Sequence, residues 1–232
     1  MKHPQFENEH FYHIYNRGVE KRDIFIDKND YLRFLEGLKE FNNPEMVTLR
    51  DPPPYRGLTS VRKKLVRIHA FCLMPNHFHL LLEQIADNGI PLFMQKLGTG
   101  YTMYFNLVNQ RVGGLFQGTF KAKIIENETY LMHLLRYIHL NPIELVEAKW
   151  KEKGIAWKKV KKILDNYQWS SHHDYLGKTE VKPLYRGLTS DSENIVSTDF
   201  LGGLLDGPSG YEDFLKSWVA ADLHEIIDLI ME

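Results

Sequence analysis

Cysteine is nearly absent from this chain. Cys72 stands alone among 232 residues, which excludes an internal disulfide framework and any cysteine-based zinc site. Cys72 itself reads as a core residue of a strand. No apolar run approaches the roughly 20 residues that span a bilayer, and the N-terminus lacks a secretion-signal pattern. Together these absences read as a cytoplasmic protein with no membrane partner. Net charge is also small, at −1, but it is unevenly spread. Residues 190–232 hold ten acids against Lys216, which leaves 28 basic and 20 acidic residues in 1–189, a net of +8. A basic body with an acidic tail is compatible with a nucleic-acid partner. The length suits one domain with an appendage, or two small domains.

What is present is a strand with two histidines. Residues 71–83 read Phe-Cys-Leu-Met-Pro-Asn-His-Phe-His-Leu-Leu-Leu-Glu. The apolar run is too short for a helix, so a strand is expected from His77 to Glu83. Side chains alternate along a strand, which sets His77 and His79 on one face, roughly 6–7 Å apart along the chain, with Phe78 opposite. Two imidazoles side by side can chelate one divalent metal. Pro75 fixes the entry to this strand, and an apolar strand at 65–74 precedes it.

The rest of the chain reads as an alternation of elements. Residues 10–17 are aromatic-rich and alternate as a strand does. A helix is expected from Asp30 to Phe41, with Asp27 and Asp30 as candidate caps. A second is expected over 90–110, its middle weakened by Gly98 and Gly100. Leu115–Glu126 reads as a strand or hairpin with Gly118 as a bulge. A third helix, capped by Asn127 or Thr129, ends near Leu140 because Pro142 disfavours helix at Asn141. Tyr137 and Asn141 are four apart and share a face. Residues 149–162 are lysine-rich with Trp150 and Trp157 interleaved, which suits either a phosphate-tracking surface or a solvated helix face. The hexapeptide Tyr-Arg-Gly-Leu-Thr-Ser occurs at 55–60 and again at 185–190. Residues 177–208 read as a linker and 209–232 as a helical appendage, leaving 1–176 as the main domain.

This order suits an α+β fold: a ferredoxin-like sandwich, an antiparallel sheet with helices on one face. Five strings then point to one family: Tyr15-Asn16-Arg17-Gly18, Met74-Pro75-Asn76-His77-Phe78-His79, Gly114-Leu115-Phe116-Gln117-Gly118, Arg136-Tyr137-Ile138-His139-Leu140-Asn141-Pro142 and Trp169-Ser170-Ser171. Together, over residues 8–177, they resemble the REP-associated tyrosine transposases, relatives of the single-tyrosine HUH transposases.

The resemblance implies a metal-dependent endonuclease and strand transferase acting on hairpin-flanked single-stranded DNA. His77 and His79 look like the histidine pair, and Tyr137 like the nucleophile. Asn141 sits where relatives complete the site for a divalent metal, Mg or Mn. Arg17, Gln117, Lys121, Lys123 and Arg136 are candidate DNA contacts. His139 is a candidate helper, and Tyr101 and Tyr104 compete with Tyr137 for the nucleophile's role. Relatives include monomers and homodimers that exchange the tyrosine between chains. Two other functions fit the same residues: a non-cleaving hairpin-binding regulator derived from a transposase, and a metal-dependent phosphodiesterase that uses water.

Overall fold

The computed structural model describes residues 4–45, 63–177 and 194–220. Both copies of the repeated hexapeptide lie outside these residues. The chain runs through β1 (Phe11–Arg17), α1 (Lys28–Glu40), β2 (Val66–Met74), β3 (His77–Gln84), α2 (Gly89–Val108), β4 (Lys121–Ile125) and α3 (Glu128–Leu140). A 3-10 turn (Asn141–Leu145) then leads into α4 (Trp150–Lys153), α5 (Trp157–Asn166), α6 (His172–Tyr175), α7 (Asp199–Leu204) and α8 (Gly207–Ala220).

The four strands form one antiparallel sheet in the order β2-β3-β1-β4. That is the ferredoxin-like arrangement the alternation of elements implies. Alternating side chains give the sheet two chemically different faces. One carries Tyr12, Ile14, Phe78, Leu80 and Leu82, all buried, and takes α1 and α2. Phe78 meets Phe34 of α1 at 5.0 Å between ring centroids. Where α1 and α2 touch, Gly100 lets Phe41 approach so closely that a Cβ there would lie 2.4 Å from the ring. The glycine that weakens α2 locally is thus what lets the two helices pack. The other face carries His13, Tyr15, His77 and His79, and α3 lies across it. Only α1 and α2 therefore share a face as expected.

Helix starts follow local chemistry. Asp27 caps α1 by accepting from the Asn29 and Asp30 amides, while Asp30 accepts from the Asp27 amide in return. This reciprocal box satisfies donors that a helix start otherwise leaves open. Asn127 caps α3, its side chain accepting from the Tyr130 amide at 2.8 Å. The expected strand over 115–126 forms only from Lys121 to Ile125. Gly118, at φ +107°, belongs to the irregular approach, where Phe116 makes an isolated bridge to Gly18.

The outer edge of β2 is closed by later chain. The Leu73 amide donates to Trp169 O, the Ser171 amide to Phe71 O and the Ser197 amide to Ile68 O, at 2.9, 3.0 and 2.9 Å. Residues 177–208, expected as a linker, thus supply both an edge contact and α7. The C-terminal α8 docks on α3, the helix that carries Tyr137. No described helix is long and apolar enough to cross a membrane.

Candidate active site

Three strands and one helix converge on the histidine face. In the β1–β3 pairing, Arg17 opposes His77 and Tyr15 opposes His79. The imidazoles of His77 and His79 lie 5.0 Å apart, nearly perpendicular at 85°. The Tyr137 ring comes down from α3 edge-on to His79, at 5.2 Å and 81°. His77 Nδ1 lies 2.6 Å from Asn76 Oδ1; the amide oxygen can only accept, so the proton is on Nδ1 and Nε2 is left bare. Buried His79 keeps its own Nε2 without a hydrogen-bonding partner among the described residues. Burial pushes the pKa of both histidines below the usual imidazole value, and for His79 the neighbouring His13 and His77 add to this. Both are neutral at pH 7, the form in which imidazole binds metal.

Asn141 is buried, and its Nδ2 donates to the Tyr137 carbonyl at 2.8 Å. It stays beside Tyr137 as the four-residue spacing requires. Burial raises the Tyr137 phenol above the usual value, Glu144 raises it further, and hydrogen bonding from Asn141 opposes the rise. Lys151 Nζ sits 5.2 Å from the Tyr137 ring centroid and pairs with Glu144 at 2.6 Å.

Among the described residues no three His, Cys, Asp or Glu side chains cluster closely enough to hold a metal by themselves. The candidate donors are the imidazoles of His77 and His79, with the Asn141 amide beside Tyr137. It fits a cation such as Mn or Mg that takes its remaining oxygen ligands from substrate or water. The buried Nε2 of His79, which has no hydrogen-bonding partner among the described residues, is the observation that favours this fit.

The other sequence candidates divide. Arg17 Nε donates to Gln117 Oε1, so these two meet beside His77. Lys121 opposes Tyr15 and Lys123 opposes His13 on β4, extending a basic row from the histidines to the sheet edge. Arg136 turns away from this face. Its guanidinium lies 3.8 Å from the Phe214 ring centroid and 5.2 Å from that of Trp218, and it donates to Ser217 Oγ at 3.3 Å. Burial there pulls its pKa down to about 10. Tyr101 is buried on the opposite side of the sheet, where its hydroxyl donates to Ile24 O, and Tyr104 shares that helix under Arg33. His139 lies in a sealed network, its Nε2 2.7 Å from Ser171 Oγ and its Nδ1 2.8 Å from the Tyr211 hydroxyl.

Sequence reasoning missed His13, Glu144 and Lys151 as members of the site. Period-two alternation from His13 to Tyr15 and Arg17 puts all three on one face of β1, but that this face meets His79 depends on register. Lys151 was legible only as one of many lysines. Its neighbours Lys159 and Lys161 pair with Glu147 and Glu212, at 3.1 and 2.7 Å.

Residues 59–141 match the family described as transposase IS200 like. That span runs from before His77 to Asn141, and across it the chain is similar to the IS200-like transposases. The chain is also similar to a solved REP-associated tyrosine transposase bound to a REP hairpin, at 15% identity and a TM-score of 0.51, covering 85% of this chain and 99% of that one. The ferredoxin-like fold described above is shared with that protein. Two further structures are similar at TM-scores below the level at which a shared fold follows. One is a candidate transposase from Deinococcus radiodurans (15% identity, 0.36, 60% of this chain and 95% of that one). The other is the tRNA(His) guanylyltransferase of Saccharomyces cerevisiae (10%, 0.37, 71% and 74%). No curated protein matches the chain. Family and fold together support a transposase, a DNA-processing enzyme.

Proposed function

We propose that this protein is a metal-dependent, single-tyrosine endonuclease and strand transferase that cuts single-stranded DNA at hairpin-flanked sites. The observation that carries this reading is the Tyr137 ring set edge-on against His79, 5.2 Å away, with His77 beside it at 5.0 Å. A nucleophile next to two neutral imidazoles, one with a bare nitrogen and one with an unpartnered nitrogen, suits phosphoryl transfer to tyrosine.

His77, His79 and the Asn141 amide would hold the divalent cation, Mg or Mn, which when bound neutralises charge on the scissile phosphate. The Tyr137 phenol loses its proton to solvent, with the Lys151 ammonium nearby to favour the phenolate. Tyr137 Oη then attacks phosphorus. The Oη–P bond forms as the bond from phosphorus to the 3′-oxygen breaks, and that oxygen takes up a proton to become a 3′-hydroxyl. The product is a 5′-phosphotyrosine. Because the phosphodiester is retained, the 3′-hydroxyl of a second strand reverses the step and joins a new end without ATP.

Arg17 with Gln117, and Lys121 with Lys123, lie along one path leading to the site and would carry the DNA backbone. Tyr137 and His79 meet within one chain, which supports an active site complete in a monomer. Residues 1–176 form the catalytic unit in this reading, with the C-terminal helices bracing α3 from outside.

The test is covalent trapping. The protein is incubated with Mn²⁺ or Mg²⁺ and hairpin-flanked single strands from near its own gene, labelled at either end, then run under denaturing conditions. A band carrying only the DNA 3′ of the cut, absent for Tyr137→Phe and His77→Ala, is expected. Cleavage with no adduct would point instead to hydrolysis by water. Binding with neither product across several hairpins and metals would point to the non-cleaving regulator.

A further inference from the structure

His13 is the feature of the histidine face that the transposase reading leaves unused. It comes from β1, is buried, and stacks on His79 with 5.1 Å between ring centroids and 25° between planes. Its Nε2 lies 2.9 Å from His79 Nδ1. Two ring nitrogens at that distance share one proton, so one donates and the other accepts.

The two ways of sharing differ in what they leave at the site. If His13 donates, the proton of neutral His79 must sit on its Nε2, a buried N–H with no acceptor among the described residues. If His79 donates, its Nε2 carries a lone pair instead. Orphaned buried N–H groups are rare in folded proteins. His77 shows the same solution from the neighbouring position, since its Nδ1–H goes to Asn76 and its Nε2 is bare.

We propose that His13 is a positioning residue: it accepts the Nδ1 proton of His79, holds that ring by stacking, and so presents the His79 Nε2 lone pair at the site. Asn76 does the same for His77. Both imidazoles then offer equivalent nitrogens from rings that cannot turn. This inference rests on the metal-dependent reading for its purpose, but the proton's location does not depend on a metal. The Tyr137 ring stands edge-on to both rings of the stack, 6.2 Å from His13, so the same stack also backs the phenol.

The experiment is ring-nitrogen NMR of the metal-free protein labelled with ¹⁵N-histidine. The His79 resonances are assigned by comparison with His79→Ala. His79 is expected with Nδ1 protonated and Nε2 bare. In His13→Phe, which keeps a flat ring without an acceptor, His79 is expected to lose that single tautomer. Mn²⁺ affinity, read by electron paramagnetic resonance titration, is expected to fall about 10- to 100-fold, the usual effect of losing a partner behind a metal-binding histidine. In His13→Gln, which restores an acceptor, part of the affinity is expected to return.

A wild-type His79 with its proton on Nε2 overturns the inference, as does a His13→Phe protein with unchanged tautomer and Mn²⁺ affinity. The wild-type spectrum decides the point even if His13→Phe fails to fold. A wild-type protein that shows the expected tautomer yet binds no Mn²⁺ supports the inference and overturns the metal-dependent reading.

Discussion

Arg136 lies over Phe214, with the guanidinium carbon 3.8 Å from the ring centroid. Arg136 belongs to α3 and Phe214 to α8, so this contact ties the C-terminal helix to the helix that carries Tyr137. Trp218 adds a second ring and lies tilted against His133, 4.9 Å between ring centroids. A partly desolvated cation–π contact stabilises by about 1–2 kcal/mol. Phe214→Ala and Arg136→Ala are each expected to destabilise the fold by about that amount, measured by urea unfolding. Arg136→Ala should leave the affinity for single-stranded DNA nearly unchanged. A large loss of affinity at unchanged stability would instead make Arg136 the DNA contact that its place in the sequence suggested.

The Tyr211 hydroxyl is shared by two buried imidazoles, 2.8 Å from His139 Nδ1 and 2.8 Å from His172 Nδ1. Tyr211→Phe strands both nitrogens and should cost about 1–3 kcal/mol. The same network sets a pH dependence. Burial pushes the His139 pKa down to about 3. A depressed pKa means stability that is complete above the unfolded value near 6.5 and lost as pH falls from there towards 3. Acid unfolding should therefore begin between about pH 6 and 5, before most carboxylates protonate. In His139→Gln that early loss should shrink, as read by circular dichroism across pH.

Adduct formation should quicken with pH. Burial and Glu144 hold the Tyr137 phenol neutral, so the phenolate fraction grows about tenfold per pH unit below its pKa. Single-turnover trapping between about pH 7 and 9 is expected to show that slope. Glu144→Gln removes the largest of the charged contributions that raise the pKa, and its profile should move to lower pH. A flat profile would mean that proton loss from Tyr137 does not limit the reaction.

Lys121 and Lys123 extend the histidine face to the sheet edge. If each meets one phosphate of a single strand, each alanine substitution should reduce the slope of log affinity against log salt by about 0.7. Fluorescence anisotropy at several salt concentrations measures this. An unchanged slope for the double variant would move the DNA path elsewhere, towards Arg17 and Gln117.

Much of this protein was legible because its signals are local. Period-two alternation alone puts His77 and His79 on one face and Phe78 on the other. The Asn127 cap and Pro142 bound α3, and a spacing of four keeps Asn141 beside Tyr137. The strand expected over 115–126 is interrupted around Gly118, whose left-handed φ of +107° breaks the extended run. Lys121–Ile125 pair with β1 as a strand, while Gln117 makes a separate backbone bond to Arg17.

What the chain could not reveal depends on contacts between distant residues. His13 joins the site because β1 pairs with β3 in one register; a shift by one residue would send its side chain to the opposite face. Arg136 and Tyr137 are neighbours in sequence, yet the α8 rings draw one outward while the sheet takes the other. Lys151 looked like one lysine among seven until the turn after α3 brought it over Tyr137. Which residue types share a face was already readable along the chain, because that follows from backbone geometry. Which faces meet, and hence which nitrogen is bare and which charge is spoken for, was decided only by tertiary packing, where burial removes water as the alternative partner.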